Sequence, residues 1–317
     1  MTNLVYMAKP IYGGWVTFTA HLSLKYEYPL YKIGKRTEAN KRNYGYGVSY
    51  QNMNIHDLLQ KEDFMITAVD KHYSEHLHMF PQGTKLIIHD PTELKGKNNP
   101  LKELMTHFKI ITIRKTVQSL LLQDYGIHSE YKPHPFYEYQ KTNKSSPYHS
   151  LSISRIDFDK HTEHILEANK YLDSERQIYI FGAENRLYVH HKLKEYPFHD
   201  FWKGKYPKTL PLEYEGQDLL NDCKFVVDMS IIKEDGGGTQ YTFLEAIYHQ
   251  CALILHKEWI EKGNTFIKDK NCYVVGYTDD VGQEIADIIN SPIDKTYGNI
   301  LQESKKILEK NINVEWL

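Results

Sequence analysis

Short apolar segments alternate with helix-like segments along almost the whole of this chain. The first apolar segment runs from Leu4 to Ala8, and Gly13 and Gly14 follow it before a helical pattern begins near Val16. Such alternation is typical of an α/β protein, in which buried parallel strands are connected by helices. The sequence therefore predicts a doubly wound parallel sheet that opens with this strand and a glycine turn.

The alternation is interrupted by a polar segment and then starts again. This segment, Lys141 to Pro147, contains no apolar side chain other than its proline. At about 100–200 residues per domain, a chain of 317 residues has room for two domains. We predict two Rossmann-like domains, residues 1–147 and 148–295, and a C-terminal helix in residues 296–317 that can return to the first domain. Ligands of such sheets bind beyond the carboxyl ends of the strands.

Composition and charge exclude several classes of protein. A hydrophobic content of 41% is enough for packed cores, and a net charge of −2 excludes a surface that binds polyanions everywhere. The three cysteines form no C-x-x-C pair, which favours free thiols in a reducing compartment. No apolar run approaches the ~18 residues of a membrane span. We expect a soluble, cytoplasmic protein.

Two basic residues follow the first predicted strand of the second half. Arg155 and Lys160 lie five positions apart, after the strand Leu151 to Ser154 and before a predicted helix from Thr162. A guanidinium fork and a mobile ammonium together suit a diphosphate. The alternative interpretation is an ordinary solvated pair at a turn.

A triple glycine, Gly236 to Gly238, precedes the predicted helix Tyr241 to His249. Glycine lets backbone come close to a ligand, and a helix start offers free N–H groups and the positive end of a dipole. Glu245, one to two turns into this helix, can accept hydrogen bonds from ribose hydroxyls. A surface turn followed by a solvated glutamate is the alternative.

These features resemble the donor half of the retaining GT-B glycosyltransferases. In that family the Arg and Lys bind the nucleotide diphosphate, the glycine turn binds phosphate and sugar, and the helix Glu binds ribose. The chain departs from the family at Gly237, where another Glu is usual, eight positions before Glu245. The resemblance implies a donor-binding set of Gly13, Gly14, Arg155, Lys160, Gly182, Gly237, Gly238, Thr239, Gln240, Tyr241, Thr242 and Glu245.

In patches, the chain is also similar to the T-even bacteriophage DNA α-glucosyltransferases. The matching residues are Met7-Ala8, Gly13, Val16-Thr17, His89-Asp90, Tyr241-Thr242, Leu244-Glu245, Lys257, Asn264 and Phe266. The resemblance implies transfer of a sugar from UDP-glucose or UDP-arabinose, as co-substrate and without a tightly bound cofactor. The implied acceptor is 5-hydroxymethylcytosine, or a similar hydroxymethylated pyrimidine, in double-stranded phage DNA within the host cytoplasm.

His89 and Asp90 end the predicted strand that begins at Lys85. An acceptor hydroxyl loses its proton as the glycosidic bond forms, and a carboxylate in hydrogen-bond reach can take it. The resemblance implies that Asp90 is this base and that His89 binds donor phosphate or sugar. The alternative is a polar strand end that caps the next helix near Pro91.

A basic and aromatic segment in the first half is the predicted acceptor site. Lys35, Arg36, Arg42 and Tyr44 lie within it, and cations interleaved with aromatic rings suit phosphate contacts and stacking on an extruded base. The alternative is a solvated basic loop. The histidines His72, His76 and His78 lack a partner that would complete a tetrahedral set, so we predict no metal site.

Two other functions are compatible with the same residues. The first is a GT-B enzyme that acts on a polysaccharide or a lipid-linked glycan, which the near-neutral charge favours. The second is a non-catalytic module that binds a nucleotide-sugar without turning it over.

Overall fold

A computed structural model describes residues 1–9, 13–34, 43–44, 48–94, 100–206, 215–232 and 236–316. Lys35, Arg36 and Arg42 lie outside the described residues, and for Tyr44 only the backbone is described. The chain divides into two compact units. The first contains Met1–Tyr139 together with residues 311–316, and the second contains the described residues from Gln140 to Lys310.

The first unit is built on a seven-stranded parallel sheet in the order β5-β2-β1-β6-β7-β8-β9. Its strands are β1 (Asn3–Met7), β2 (Leu30–Ile33), β5 (Gln51–Met53), β6 (Phe64–Val69), β7 (Lys85–Ile88), β8 (Lys109–Thr112) and β9 (Glu130–Tyr131), and a separate antiparallel pair is formed by β3 (Asn43–Tyr44) and β4 (Val48–Ser49). Its helices are α1 (Gly14–Tyr26), α2 (Ile55–Leu58), α3 (Pro100–Leu104) and α4 (Lys115–Tyr125), with 3-10 helices at Ser74–Met79 and Pro91–Leu94.

The strand order of the first unit reverses between β1 and β6. Every residue of β6 is buried, because a parallel strand in the middle of such a sheet is covered on both faces and therefore reads as an unbroken apolar run. Val5, Ile66 and Leu86 lie in the core of this unit. The strand predicted at Leu4 to Ala8 and the helix predicted from about Val16 are confirmed as β1 and α1, each starting one or two residues earlier than predicted.

The second unit has a five-stranded parallel sheet in the order β11-β10-β12-β13-β14. The strands are β10 (Ser150–Ile153), β11 (Ile178–Phe181), β12 (Phe225–Asp228), β13 (Ala252–His256) and β14 (Tyr273–Val275). The helices are α5 (Thr162–Ala168), α6 (Arg186–Lys192), α7 (Phe198–Phe201), α8 (Glu215–Leu220), α9 (Tyr241–Tyr248), α10 (Lys257–Ile260), α11 (Val281–Asn290) and α12 (Lys295–Ile312). Strand order reverses between β10 and β12, and ligands of open α/β sheets bind at such a switch point.

The C-terminal residues return to the first unit, as the sequence led us to expect. Lys25 donates hydrogen bonds to the carbonyls of Asn311 and Ile312, and the N–H of Phe136 donates to the carbonyl of Asn311 at 3.0 Å. Trp316 is buried, and its ring lies edge-on to Phe18 at 5.3 Å. Backbone carbonyls and one large indole therefore hold the end of the chain in this unit.

The polar segment that was expected to link the domains is hydrogen-bonded within the second unit. The side-chain amide of Asn221 donates to the carbonyls of Thr142 and Lys144 at 3.1 and 2.9 Å, and Lys144 forms an ion pair with Asp218 at 3.1 Å. The Asn221 side chain therefore donates the hydrogen bonds that these carbonyls would receive from backbone N–H groups in a helix or sheet.

A search of the described residues found no helix with both the length and the apolar character needed to cross a membrane. Cys223, Cys251 and Cys272 are buried free thiols.

Candidate functional site

The loops that follow β10 and β12 are joined at the switch point of the second unit. Lys160 lies on the loop after β10, and its Nζ donates to the Oγ of Ser230, which follows β12, at 2.7 Å. The backbone N–H of Ile231 donates to the carbonyl of Asp159 at 2.9 Å. These two bonds place Lys160 in the crevice where the fold predicts a ligand.

The structure brings Arg155 and Lys160 together around a single carboxylate oxygen. Oδ2 of Asp159 lies 3.3 Å from the guanidinium of Arg155 and 3.7 Å from Nζ of Lys160. Arg155 also donates to Asp157 at 3.0 Å, and 63% of its side-chain surface is exposed. The two cationic heads therefore already converge on one anionic oxygen, which is the arrangement that a shared diphosphate requires.

The two cations differ in their surroundings. The Lys160 side chain is only 7% exposed, so its ammonium has lost most of its water and depends on the Ser230 hydroxyl and the Asp159 carboxylate. Ser230 is held in turn by its own N–H, which donates to Oδ1 of Asp228 at 2.8 Å. The sequence analysis missed Ser230. Its only signal was its position just beyond the end of an apolar run.

Gly182 and Gly237 lie where two backbone segments of the protein approach each other closely. A Cβ on Gly182 would lie 1.7 Å from the carbonyl oxygen of Ser154, and one on Gly237 would lie 2.4 Å from the backbone nitrogen of Gly263. Gly237 also has a φ of +70°, in the left-handed region that favours glycine. Both glycines therefore shape the loops that carry the candidate donor residues.

Replacing Gly182 by alanine is expected to lower the stability of the protein severely. The new Cβ overlaps the carbonyl oxygen of Ser154. Ser154 and Gly182 each directly follow a strand, so neither backbone segment can shift without disturbing the sheet. We expect a loss of several kcal/mol, beyond the usual effect of a single substitution, measured as a drop in Tm or failure to fold. Gly298→Ala is the control, because Gly298 lies within α12 with open space around it, and alanine there should stabilise by about 0.5–1 kcal/mol. Equal Tm values for Gly182→Ala and the wild type would contradict this interpretation.

Helix α9 begins as the sequence predicted and presents its N-terminus without a side-chain cap. Gln240 occupies the N-cap position in an extended conformation, and its side chain makes no capping hydrogen bond. Within the part of the chain that the structure describes, Nε2 of Gln240 is buried without a hydrogen-bond partner. The N-terminus of a helix carries a partial positive charge, which favours an anion nearby.

Glu245 is buried on α9, with an exposed fraction of 3%. The phenols of Tyr241 and Tyr206 lie near enough to feel its charge. Burial and the charge of Glu245 both raise the pKa of these two side chains well above the usual value. Tyr206 also contacts Phe181 at the end of β11. The aromatic wall around this carboxylate was not foreseen, because Tyr206 is distant in sequence from the helix.

In the first unit, His89 is buried directly after β7. Its Nε2 lies 2.7 Å from the carbonyl oxygen of Thr67. A carbonyl only accepts, so Nε2 carries the proton, and Nδ1 is an acceptor in the neutral ring. Burial lowers the pKa of His89 to about 4. His89 therefore offers a donor sugar or phosphate a neutral ring rather than a positive charge.

Glu93 is a buried carboxyl group next to the candidate base, and the sequence analysis missed it. Its Oε1 accepts hydrogen bonds from the indole N–H of Trp15 and from the backbone N–H of His89, both at 3.1 Å. Burial, followed by the charge of Asp90, raises the pKa of Glu93 well above its usual value. Through these hydrogen bonds, Glu93 links α1 to the end of β7. The half-buried Asp90 directly precedes the 3-10 helix Pro91–Leu94.

Replacing Glu93 by glutamine should remove a pH dependence of stability. A carboxyl whose pKa is raised on folding binds its proton more tightly in the folded state, so stability falls as pH rises from the unfolded pKa towards the folded one. The amide oxygen of glutamine can still accept from Trp15 and His89. We expect the Tm of Glu93→Gln, relative to wild type, to be higher at pH 8 than at pH 4.5. A difference in Tm that is the same at both pH values would contradict the shifted pKa.

The remaining donor candidates from the sequence analysis are divided between the two units. Gly13 and Gly14 start α1 in the first unit, and Gly13 has a φ of 99° with open space where a Cβ would be. Thr239 is buried just before α9, and Thr242 lies in its first turn. The donor candidates Arg155, Lys160, Gly182, Gly237 and Glu245 all belong to the second unit.

Comparison with known proteins identifies the fold. No protein-family model and no curated protein sequence matches the chain. Among solved structures, Anabaena HepE in complex with UDP and glucose is similar with a TM-score of 0.69, at 13% identity, over 98% of this chain and 95% of that one. A glycosyltransferase from Rickettsia africae is similar with a TM-score of 0.63, at 14% identity, over 98% of this chain and 94% of that one. With its two α/β units and parallel sheets, the chain therefore has the GT-B glycosyltransferase fold.

Proposed function

We propose that this chain is a UDP-sugar-dependent glycosyltransferase that transfers a hexosyl or pentosyl group. The observation that carries the proposal is the convergence of Arg155 and Lys160 on one anionic oxygen at the β10–β12 switch point. The pyrophosphate of the donor takes the place of the Asp159 carboxylate, and the uncapped start of α9 supplies further N–H donors. Arg155, Lys160, Gln240 and Glu245 are the proposed donor-binding side chains.

The structural neighbours support a UDP-sugar as donor. Anabaena HepE has been solved with UDP-glucose and is similar to this chain with a TM-score of 0.68 and 12% identity over 98% of the chain. Since the fold is shared, its UDP-glucose complex favours the same class of co-substrate here. The phenols near Glu245 fit this proposal, because they shield a carboxylate that would accept hydrogen bonds from ribose hydroxyls.

In the proposed reaction, the bond between the anomeric carbon and the UDP oxygen breaks, and UDP leaves with the electron pair. The acceptor oxygen forms the new bond to the anomeric carbon and gives its proton to Asp90. The cations Arg155 and Lys160 stabilise the charge that develops on the leaving diphosphate. Burial keeps His89 neutral, and because Nε2 donates to the Thr67 carbonyl, Nδ1 is left as a hydrogen-bond acceptor.

For the acceptor, we propose a hydroxymethylated pyrimidine in DNA, with 5-hydroxymethylcytosine as the first choice. The support is the patchy sequence similarity at His89-Asp90 and Tyr241-Thr242, together with the basic and aromatic sequence around Lys35, Arg36, Arg42 and Tyr44. A glycan acceptor is the second candidate. It is favoured by a similarity to Staphylococcus aureus TarM, solved with α-GlcNAc-glycerol and UDP, with a TM-score of 0.51 and 16% identity over 79% of this chain and 55% of that one.

A transfer assay tests donor and acceptor in one design. The full chain is incubated with radiolabelled UDP-glucose, UDP-arabinose or UDP-N-acetylglucosamine and with hydroxymethylcytosine DNA, unmodified DNA or a glycan mixture. We expect label in hydroxymethylated DNA only, with the signal reduced in a Lys35→Ala/Arg36→Ala double variant. Label only in glycans would overturn the DNA acceptor, and failure to bind or consume any UDP-sugar would overturn the transferase itself.

A further inference from the structure

Three possible metal ligands lie together at the start of α5. One ligand atom from each of His161, Glu163 and His164 lies within 4.8 Å of the other two. The closest pair is Nδ1 of His161 and Oε1 of Glu163, at 3.1 Å. The rings of His161 and His164 are stacked with their centroids 5.8 Å apart. Two imidazoles and a carboxylate are thus gathered at one point on the surface of the second unit.

The local backbone explains this gathering. His161 is the N-cap residue of α5, and His164 lies three positions further, where its N–H donates to the carbonyl of His161 at 3.1 Å. The side chains of an N-cap residue and of the third helical residue face each other across the first turn. His161 has a left-handed backbone, with φ 44° and ψ 49°. A conformation of this kind is uncommon outside glycine and is often found at functional sites.

The spacing of the ligand atoms suits a small divalent cation. Zinc binds histidine nitrogen and carboxylate oxygen at about 2.0–2.2 Å in a tetrahedral arrangement, so neighbouring ligand atoms lie roughly 3.3–3.5 Å from one another. The His161–Glu163 pair is already at 3.1 Å. The ligand atom of His164 lies within 4.8 Å of both of these atoms, so a side-chain rotation can bring it to the third corner.

A second layer of contacts orients the carboxylate. The hydroxyl of the buried Tyr188 donates to Oε2 of Glu163 and accepts from the N–H of Thr162 at 2.7 Å. Tyr188 therefore fixes the orientation of the Glu163 carboxylate, as the outer contacts of metal ligands do.

A third histidine lies beside the cluster without being a ligand. The ring of His256 is parallel to that of His164, with centroids 6.5 Å apart. Its Nδ1 accepts from the N–H of Glu258 at 3.3 Å, and its Nε2 lies against Gly276, where a Cβ would be only 2.4 Å away. Nδ1 of His256 is therefore engaged at the start of α10, and its Nε2 is packed against Gly276.

We propose that His161, Glu163 and His164 bind one divalent cation of the zinc class, with the fourth coordination position left to water. The mixed nitrogen and oxygen ligands favour zinc, cobalt or nickel over magnesium and calcium, which prefer oxygen alone. The sequence analysis predicted no metal site because it considered only His72, His76 and His78, and the proposal departs from that prediction. The proposal does not depend on the transferase activity.

Metal binding to the full, tag-free chain tests the proposal. After treatment with a chelator, the protein is titrated with Zn²⁺ against a chromophoric zinc indicator and, separately, with Co²⁺, whose visible absorption reports its coordination. We expect one Zn²⁺ ion to bind per chain. At a free Zn²⁺ concentration 100 times Kd, the Tm should rise by about 5 °C or more. His164→Gln and Glu163→Gln should each weaken binding by 10-fold or more.

The control is the exposed pair His190 and His191 on α6, whose rings lie 5.0 Å apart. A His190→Gln/His191→Gln variant should bind zinc as the wild type does. Circular dichroism of His164→Gln without metal separates loss of binding from loss of folding. Absence of stoichiometric binding in the wild type, or wild-type affinity in both His164→Gln and Glu163→Gln, would overturn the proposal.

Discussion

Replacing Lys160 by methionine is expected to weaken UDP binding by about 10- to 100-fold, without loss of folding stability. The truncation removes a charge-assisted contact to the diphosphate, an interaction worth about 1.5–3 kcal/mol. In the part of the chain that the structure describes, the buried ammonium has the Ser230 hydroxyl at 2.7 Å and a carboxylate oxygen of Asp159 at 3.7 Å. Removal of one partner of an ion pair destabilises a protein when it leaves the other charge buried and unpaired, but Asp159 is 30% exposed and keeps Arg155 at 3.3 Å.

Isothermal titration with UDP and thermal unfolding of the same samples check this prediction. Lys170→Met is the matched control, since Lys170 pairs with Glu167 at 2.8 Å and is half exposed. It should leave both UDP affinity and Tm unchanged. If Lys160→Met instead loses several degrees of Tm and keeps its affinity, Lys160 has a structural role and the donor site lies elsewhere.

Replacing Asp90 by asparagine should lower sugar transfer by about 100-fold or more, the usual contribution of a positioned general base. UDP affinity should stay within experimental error of the wild type, because the proposed donor-binding side chains Arg155, Lys160, Gln240 and Glu245 all lie in the second unit. Asparagine keeps the shape of the side chain, so the backbone bond between the N–H of Glu93 and the carbonyl of residue 90 should persist.

The measurement is kcat under saturating donor and acceptor, with UDP affinity determined in parallel. Asp124→Asn serves as the control, because Asp124 is an exposed carboxylate on α4 of the same unit. Transfer that continues at the wild-type rate in Asp90→Asn would exclude Asp90 as the base. Loss of UDP binding together with turnover would indicate that Asp90 holds the donor.

The fold was predictable from sequence because parallel strands leave a strong signal. Strands buried on both faces, such as Phe64–Val69 and Ala252–His256, read as continuous apolar runs. A glycine directly follows two other strands, Gly182 after β11 and Gly276 after β14. Domain limits were harder to predict, because a polar segment such as Lys141 to Pro147 can be a free linker or, as here, be bound by side chains such as Asn221 and Asp218.

The candidate site was predictable only where its residues are close in sequence. The spacing of Arg155 and Lys160 indicated convergence on one anion, and the structure places both at Asp159. Ser230 and Tyr206 could not be found this way, because they are distant in sequence from the residues that they contact. Glu93 is close to Asp90 in sequence, but sequence spacing does not reveal that its carboxyl group is buried and accepts from Trp15. His161, Glu163 and His164 are close in sequence, but their convergence depends on the left-handed conformation of His161, which sequence spacing does not reveal.

A crystal structure of the chain with UDP tests the central claim most directly. A pyrophosphate oxygen and the Asp159 carboxylate repel each other and compete for the same two cations. We therefore predict that the pyrophosphate lies within about 3.2 Å of Lys160 Nζ and of the Arg155 guanidinium, with Asp159 turned away from both. UDP bound elsewhere, while Asp159 still holds Arg155 and Lys160, would contradict the account.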